Sequence, residues 1–334
     1  MSRLRRVECS GAGIVRRRRG RGFEYRDATG NRVDDEVMAR IRALAIPPAW
    51  TDVWICPDPR GHLQAVGTDA AGRRQYLYHQ QWRARRDQEK FDRMLAFARA
   101  LPRVRRTAER HLHEDGLGRD RVLSCAVRLL DRGFFRVGGE EYAENGTYGL
   151  ATLERRHVRL DADGVLVFDY IAKGGKHRVQ AVVDPQVYAV VAELKARRGG
   201  GRALLAYRNG RWVDVRSSEI NDYLKQLAKG EFSAKDFRTW HATVLAAVAL
   251  AVSTEAKSQT ARRRAMSRAV QEVSHYLGNT PAVCRASYID PRVFDRYLAG
   301  VTVAPALGAL AEQHDAPATQ GRIEAAVLGL LDSA

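Results

Sequence analysis

Four segments hold a set of side chains that could share one reaction. GFFRVGGEEY (133–142), FDYIAKGGKHR (168–178), AKDFRTWH (234–241) and GNTPAVCRASY (278–288) supply Arg136, Lys173, Arg238, Asn279 and Tyr288. Two guanidiniums, an amine, an amide and a phenol suit in-line attack of the phenol on a phosphodiester, with no metal required. That chemistry needs a nucleophile, neutralisation of charge on the phosphorane oxygens, and a proton for the leaving alkoxide. Tyr288 can attack, and Arg136 and Arg238 are permanent cations whose forked donors fit nonbridging oxygens. Lys173 can lose a proton and so act as general acid, which an arginine cannot readily do; Asn279 can donate one hydrogen bond to an oxygen. Taken singly, each has a plainer explanation. Tyr288 can be helix packing, Arg136 the seal of a core edge beside two phenylalanines, and Lys173 a solvated turn tip.

The chain that must position them has 334 residues and a mass of 37.4 kDa, more than one typical domain and fewer than three. Its 45% hydrophobic content supports a core of ordinary size. No apolar run is long enough to span a membrane, and MSRLRRVECSGAG has charge but no hydrophobic stretch behind it, unlike a secretory signal. Cys9, Cys56, Cys125 and Cys284 form no C-x-x-C pair, which points to free thiols and a reducing compartment. The expected location is cytoplasmic, with nucleoid association if the partner is DNA. The net charge of +17 and pI near 10.1 attract polyanions, chiefly nucleic acid; a merely basic surface is the blander reading. Of the 56 basic residues 48 are Arg, which grips phosphate in a fork, although G+C-rich codon usage produces the same excess.

Organisation changes near residue 91, which predicts an N-terminal domain over 1–90 and a catalytic domain over 91–334. The first 22 residues carry eight arginines against one acid, Glu8, and read as a mobile basic arm touching phosphates or as a solvated tail. Strands are expected over 22–27, 51–57 and 62–69, with a helix from Asp34 to Leu44 between them. Apolar residues three and four apart predict helix from about 80 to about 135. ATLERRHVRL, GVLVFDYIAK and KHRVQAVV read as a three-stranded antiparallel sheet over 150–183, with Lys173 at a hairpin tip. Helices follow from about 184, with turns near 197–201 and 208–211. The basic stretch Lys257 to Arg268 continues into a helix stopped at Gly278, and Thr280-Pro281 starts another, with Thr as cap and Pro at the first position. The fold class is α+β: a small β-rich N-terminal domain and a larger, mainly helical catalytic domain with that three-stranded sheet.

In combination these segments carry a resemblance. FFRVGGEEY, YGLATL (148–153), AKGGK, KDFRTWH and LGNTPAVCRASY, together with IPPAWTDVWI (46–55) and GRRQYLYH (72–79), resemble the type IB DNA topoisomerases, in particular the small poxvirus-like group with bacterial members. The resemblance spans roughly residues 14–300. It implies a tyrosine recombinase/topoisomerase IB-like fold in which Arg136, Lys173, Arg238 and Tyr288 are catalytic. Tyr288 forms a 3′-phosphotyrosine, Lys173 protonates the 5′-hydroxyl, and the strand rotates before religation. The partner implied is duplex DNA, clamped by a monomer. Asn279 stands where the poxvirus enzymes carry His, so the hydrogen bond survives but a charge does not. Gln75, Tyr76, Tyr78, Arg86 and Tyr142 match DNA-contacting positions, and Lys235 matches a position that assists. Gly139 and Glu141 replace family lysines, and Lys176 is a second hairpin lysine.

Two other functions compete. A tyrosine recombinase shares the chemistry but usually shows H-x-L-R-H where this chain has Lys235-Asp236-Phe237-Arg238. A non-catalytic architectural DNA-binding protein does not require the Arg, Lys, Arg, Tyr order. No G-x-x-x-x-G-K-[ST] and no ligand cluster occurs, so neither ATP, a cofactor nor a metal is expected. Tyr288 lies nine residues beyond Asn279, about 13 Å along a continuous helix. That spacing predicts a tyrosine displaced from the site in the free protein, with DNA and closure of the first domain completing it.

Overall fold

The computed structural model describes residues 3–253, 258–311 and 316–332, so the start of the expected helix at Lys257 lies outside the described residues. The chain forms two compact units, divided between Asp92 and Arg93.

In the first unit β1 (Ile14–Arg19), β2 (Gly22–Arg26), β3 (Thr51–Ile55), β4 (Leu63–Thr68) and β5 (Arg74–Tyr78) form an antiparallel sheet in the order β2-β1-β3-β4-β5. Helix α1 (Asp35–Ala43) starts where Asp34 accepts from Val37 N at 2.8 Å, and its Ile41 packs with Ile14, Val53, Ile55 and Ala65. The reading of the first 22 residues as an arm is corrected over Ile14–Arg19, which is an interior strand. The reason lies in alternation. Ile14 and Arg16 face the core, while Val15, Arg17 and Arg19 face outward. Arg16 is buried because carbonyls receive its guanidinium. Nη1 donates to Pro47 O at 3.1 Å, Nη2 to Trp50 O at 2.5 Å, and Cζ stacks 4.2 Å from the Phe23 ring. An arginine run therefore hides one structural member among surface charges.

Helix α2 (Gln80–Leu112) leads to α3 (Arg119–Gly133), the short α4 (Glu140–Ala143), and the sheet β6 (Val158–Leu160), β7 (Val165–Ala172) and β8 (Lys176–Val183). The sheet is antiparallel, in the order β6-β7-β8. Residues 150–157 are not strand but two 3₁₀ turns. Side chains bond back to the local backbone there, with Gly149 N donating to Thr152 Oγ1 and Glu154 N to His157 Nδ1, both at 3.0 Å. After α5 (Pro185–Ala196) comes an unforeseen hairpin, β9 (Ala206–Asn209) and β10 (Arg211–Asp214), reversed at Gly210 with φ +63°. The rest is helical: α6 (Ser217–Ala228), α7 (Ala234–Ala251), α8 (Gln259–Leu277), α9 (Pro281–Ser287), α10 (Pro291–Leu298), α11 (Ala304–Ala311) and α12 (Ala316–Asp332).

Helices α3 and α7 are buried along most of their length, including polar members such as Asp131, Arg238 and His241. A helix apolar nearly all round must sit inside its domain, and α7 (AKDFRTWHATVLAAVALA) does so, with Trp240 fully buried.

The placement of Arg16 is testable. Arg16→Ala strands backbone carbonyls in the first unit and should destabilise it by about 2–4 kcal/mol, whereas Arg17→Ala should stay within about 0.5 kcal/mol. Hydrogen exchange of β1 and β3 amides in the full chain reads both. Equal protection in the two variants would restore the arm.

Candidate active site

Arg238 lies one turn into α7. That helix is fixed at its start by Ser233 and Asp236, with Ser233 N donating to Asp236 Oδ2 at 2.8 Å. The Arg238 side chain is 4% exposed. Nη1 donates to Phe134 O at 2.5 Å, and Nη2 to Leu277 O and Asn279 Oδ1, both at 2.8 Å. Its Nε–H is buried without an acceptor among the described residues. Burial, then the charge of Arg136, lowers Arg238 to about 10, so it remains a cation at neutral pH.

Arg136 sits on the loop that leaves α3. The loop turns at Phe134, which adopts φ +55°, and at Gly138, with φ +82°. It is pinned to the following segment by Leu150 N to Arg136 O at 2.8 Å and Ala151 N to Val137 O at 2.7 Å. A Cβ on Gly149 would stand 2.5 Å from Gly138 N and 2.9 Å from Arg136 O, so glycine is what lets the two backbones meet. Arg136 Nη2 then donates to Asn279 Oδ1 at 2.7 Å. That one amide oxygen thus accepts from both arginines. The two donors settle which end of the amide is oxygen and leave its N–H groups for another acceptor.

Asn279 and Tyr288 flank a short helix. Helix α8 stops at Gly278 in the left-handed region, φ +65°, and Thr280 Oγ1 caps α9 by accepting from Val283 N at 3.3 Å. Tyr288 closes α9 and is 8% exposed. Arg238 Cζ lies 5.4 Å from the centroid of its ring. Burial pushes the phenol up, but Arg238 and Arg136, with Lys235, outweigh it, and the pKa lies below the ordinary tyrosine value.

Lys173 occupies the turn between β7 and β8, beside Gly174 and Gly175 at φ +80° and +72°. A cleft of about 290 Å³ is lined by Arg136, Tyr142, Lys173, Lys235, Arg238 and Tyr288. Lys173 Nζ stands 5.3 Å from the Tyr142 ring centroid. Lys176 is engaged otherwise, donating to Gly278 O at 3.2 Å. Arg136, Lys173, Arg238 and Tyr288 therefore line one cleft, and Asn279 does not line it. Tyr288 lies beside Arg238 rather than far from it, because side chains on a helix lean toward its N-terminus and a long guanidinium spans what remains, reaching Asn279 while lying over Tyr288.

The matched residues of the first unit fall into two groups. The register Val15↔Trp54, Trp54↔Val66, Val66↔Tyr76 places Tyr76 and Tyr78 on the outer face that also carries Arg17 and Arg19. The two tyrosine rings stack with centroids 6.3 Å apart and are exposed. Tyr78 and Arg86 share a cleft of about 460 Å³ with Arg6, Trp82 and Arg83, and Arg86 pairs with Glu89 at 3.2 Å. Gln75 is set apart, donating to Asp69 Oδ2 at 2.9 Å from the opposite strand face. Arg178, whose Nη2 donates to Tyr276 O at 2.8 Å, escaped the sequence reading. Its two-residue spacing from Lys176 on a strand was the available signal. Among the described residues no group of three or more His, Cys, Asp or Glu could hold a metal ion, and no helix is long and apolar enough to cross a membrane.

Comparison with known proteins gives the chain its relatives. Residues 79–313 match the family described as eukaryotic DNA topoisomerase I, catalytic core. Residues 22–69 match the bacterial DNA topoisomerase IB N-terminal domain. A relative from Acanthamoeba polyphaga mimivirus, DNA topoisomerase 1B, is 30% identical over 288 residues, covering 83% of this chain and 85% of its own.

The electrostatics yield a measurement. Lys235→Ala removes one cation facing the phenol and should raise the Tyr288 pKa without disturbing the buried guanidinium. Tyrosine ¹³Cζ NMR titration, with Tyr288→Phe to assign the resonance, reads the shift. An unchanged or lowered value would remove Lys235 from the site's field.

Proposed function

The chain belongs to the type IB DNA topoisomerases, and we propose that Arg136, Lys173, Arg238, Asn279 and Tyr288 perform its transesterification. A type IB enzyme relaxes supercoiled duplex DNA by transient cleavage of one strand, with neither ATP nor metal. In the proposed sequence the Tyr288 oxygen attacks phosphorus in line and the phenol proton leaves to solvent. The bond from phosphorus to O5′ breaks as Lys173 Nζ gives O5′ a proton. The products are a 3′-phosphotyrosine and a 5′-hydroxyl. Rotation of the free end releases supercoils, and the reverse transfer reseals the strand, with Lys173 now taking the proton. Arg136, Arg238 and the Asn279 amide hold the nonbridging oxygens.

The observation that carries this reading is Arg238. It is a buried cation whose Nε–H lacks an acceptor, and its charge lowers the phenol beside it. A buried unpaired donor costs about 1–3 kcal/mol, which a phosphoryl oxygen in the cleft would recover. Tyr142 and Lys235 line the same cleft and contact the DNA backbone there. In the first unit Tyr76, Tyr78 and Arg86 touch phosphates and bases, and Gln75 reaches a base edge once it leaves Asp69. The protein works as a monomer that clamps duplex DNA, in the cytoplasm at the nucleoid.

Two experiments test the assignment. In chelator and without ATP, the protein should relax plasmids supercoiled in either sense, while Tyr288→Phe binds DNA but yields neither adduct nor relaxation. Relaxation by that variant would take the nucleophile away from Tyr288. Lys173→Ala should slow cleavage by about 10²–10⁴-fold. A substrate with sulfur at the bridging 5′ position needs no proton on its leaving group and should restore that variant but not Arg238→Ala. Equal rescue of both would sink the general-acid role.

A further inference from the structure

The last carbonyls of a helix lack intrahelical donors and form the negative end of its dipole. At the end of α8 side chains from two other elements take them in turn. Arg178 donates from Nη1 to His275 O at 3.2 Å and from Nη2 to Tyr276 O at 2.8 Å. Arg238 donates to Leu277 O at 2.8 Å, and Lys176 to Gly278 O at 3.2 Å. Lys176 and Arg178 alternate on β8, the strand that returns from the Lys173 turn, where they pair with Ala172 and Tyr170. The fit at the clamp is tight: a Cβ on Gly278 would lie 2.8 Å from Arg178 Nη1 and 3.2 Å from its Cζ.

We propose that Arg178 is a positioning residue for proton delivery. It locks the Lys173 hairpin to the helix end from which Asn279 and Tyr288 follow, and so fixes the general acid against the leaving oxygen. The proposal rests on Lys173 being that acid. Arg238 independently ties Leu277 and Asn279 to α7 and lies over Tyr288, so the phosphate-binding half stays assembled without Arg178. What Arg178 chiefly restrains is the hairpin. Its tip is Lys173-Gly174-Gly175, where nothing lies within 4 Å of a Cβ built on either glycine. Lys176 is a weaker tether, a single bond from a flexible four-carbon stem, whereas the Arg178 fork spans two successive carbonyls. A displacement of about 1 Å at a reacting centre costs roughly 10²-fold in rate, and here the loss falls on protonation of the leaving group rather than on attack.

The test is single-turnover cleavage of two duplexes, one with oxygen and one with sulfur at the bridging 5′ position. Arg178→Ala should lose roughly 10²-fold on the oxygen substrate, cleave the sulfur substrate at close to the unmodified protein's rate, and bind DNA with unchanged affinity. Arg178→Lys, which keeps the charge but not the fork, should fall between. An undiminished rate on oxygen, or an equal loss on both substrates, overturns the proposal. Should Arg178→Ala fail to unfold cooperatively, Gly278→Ala, whose methyl presses on the guanidinium, must show the same sulfur-rescued defect, and equal losses there also overturn it. Lys173→Ala run beside them separates the two layers. If sulfur does not rescue Lys173→Ala, the general-acid reading fails; if it rescues Lys173→Ala but not Arg178→Ala, positioning by Arg178 fails.

Discussion

Taking a guanidinium out of water costs several kcal/mol unless its donors are met, and much of the larger unit is arranged around meeting those of Arg238. Its acceptors are Phe134 O at the end of α3 and, far along the chain, Leu277 O and Asn279 Oδ1 at the end of α8. Each is a neutral carbonyl or amide oxygen. They replace much of the lost hydration without neutralising the charge, which remains to act on whatever enters the cleft. The lowered phenol of Tyr288 is one result, and the attraction of a phosphodiester follows from the same field.

Arginines elsewhere in this unit are treated differently. Arg105 forms bonds to Asp131 at 2.8 Å and to Glu324 at 2.6 Å, and the His241 ring lies 3.4 Å from Asp131. Burial pushes the Asp131 carboxyl up, but His241 and Arg105 more than offset it and hold it well below the usual range. Asp131 is three residues before Phe134 in α3, and His241 three residues after Arg238 in α7. The network therefore sets the His241 ring of α7 against Asp131 of α3, and through Arg105 it joins Glu324 of α12 to them. Arg128 with Asp184 at 2.8 Å and Arg121 with Glu193 at 2.7 Å repeat the paired pattern. These arginines meet carboxylates, while those of the cleft meet carbonyls and amides; buried Arg197, away from the cleft, also meets only carbonyls, among them Leu194 O at 2.6 Å and Leu204 O at 2.9 Å.

The first unit holds another carbonyl-bound arginine. Arg16 is also surrounded by carbonyls and has the Tyr25 phenol beside it across the strand pair, yet it faces a sheet core and lies over Phe23. Carbonyl acceptors alone do not make an arginine functional. What distinguishes Arg238 is Arg136 on the same amide oxygen and Tyr288 beneath its guanidinium.

Much of this could be read along the chain, because the relevant physics is local. Glycine pairs and alternation fixed the β7–β8 hairpin and its lysine tip, and Thr280-Pro281 marked the start of α9. The identities of Arg136, Lys173, Arg238, Asn279 and Tyr288 were legible in the same way, as residue types in flanking motifs. Three things were not. The role of Arg16 depends on carbonyls 30 to 34 residues away, so nothing in RRRR separates it from its neighbours. The clamp of Arg178 on α8 joins positions 97 and 98 residues apart. The approach of Tyr288 to Arg238 depends on side-chain reach and tilt, which a count of helical rise omits. Sequence determined which groups this protein has for chemistry; tertiary packing decided which of its many cations are neutralised, because pairing is set by distance in space and not by order in the chain.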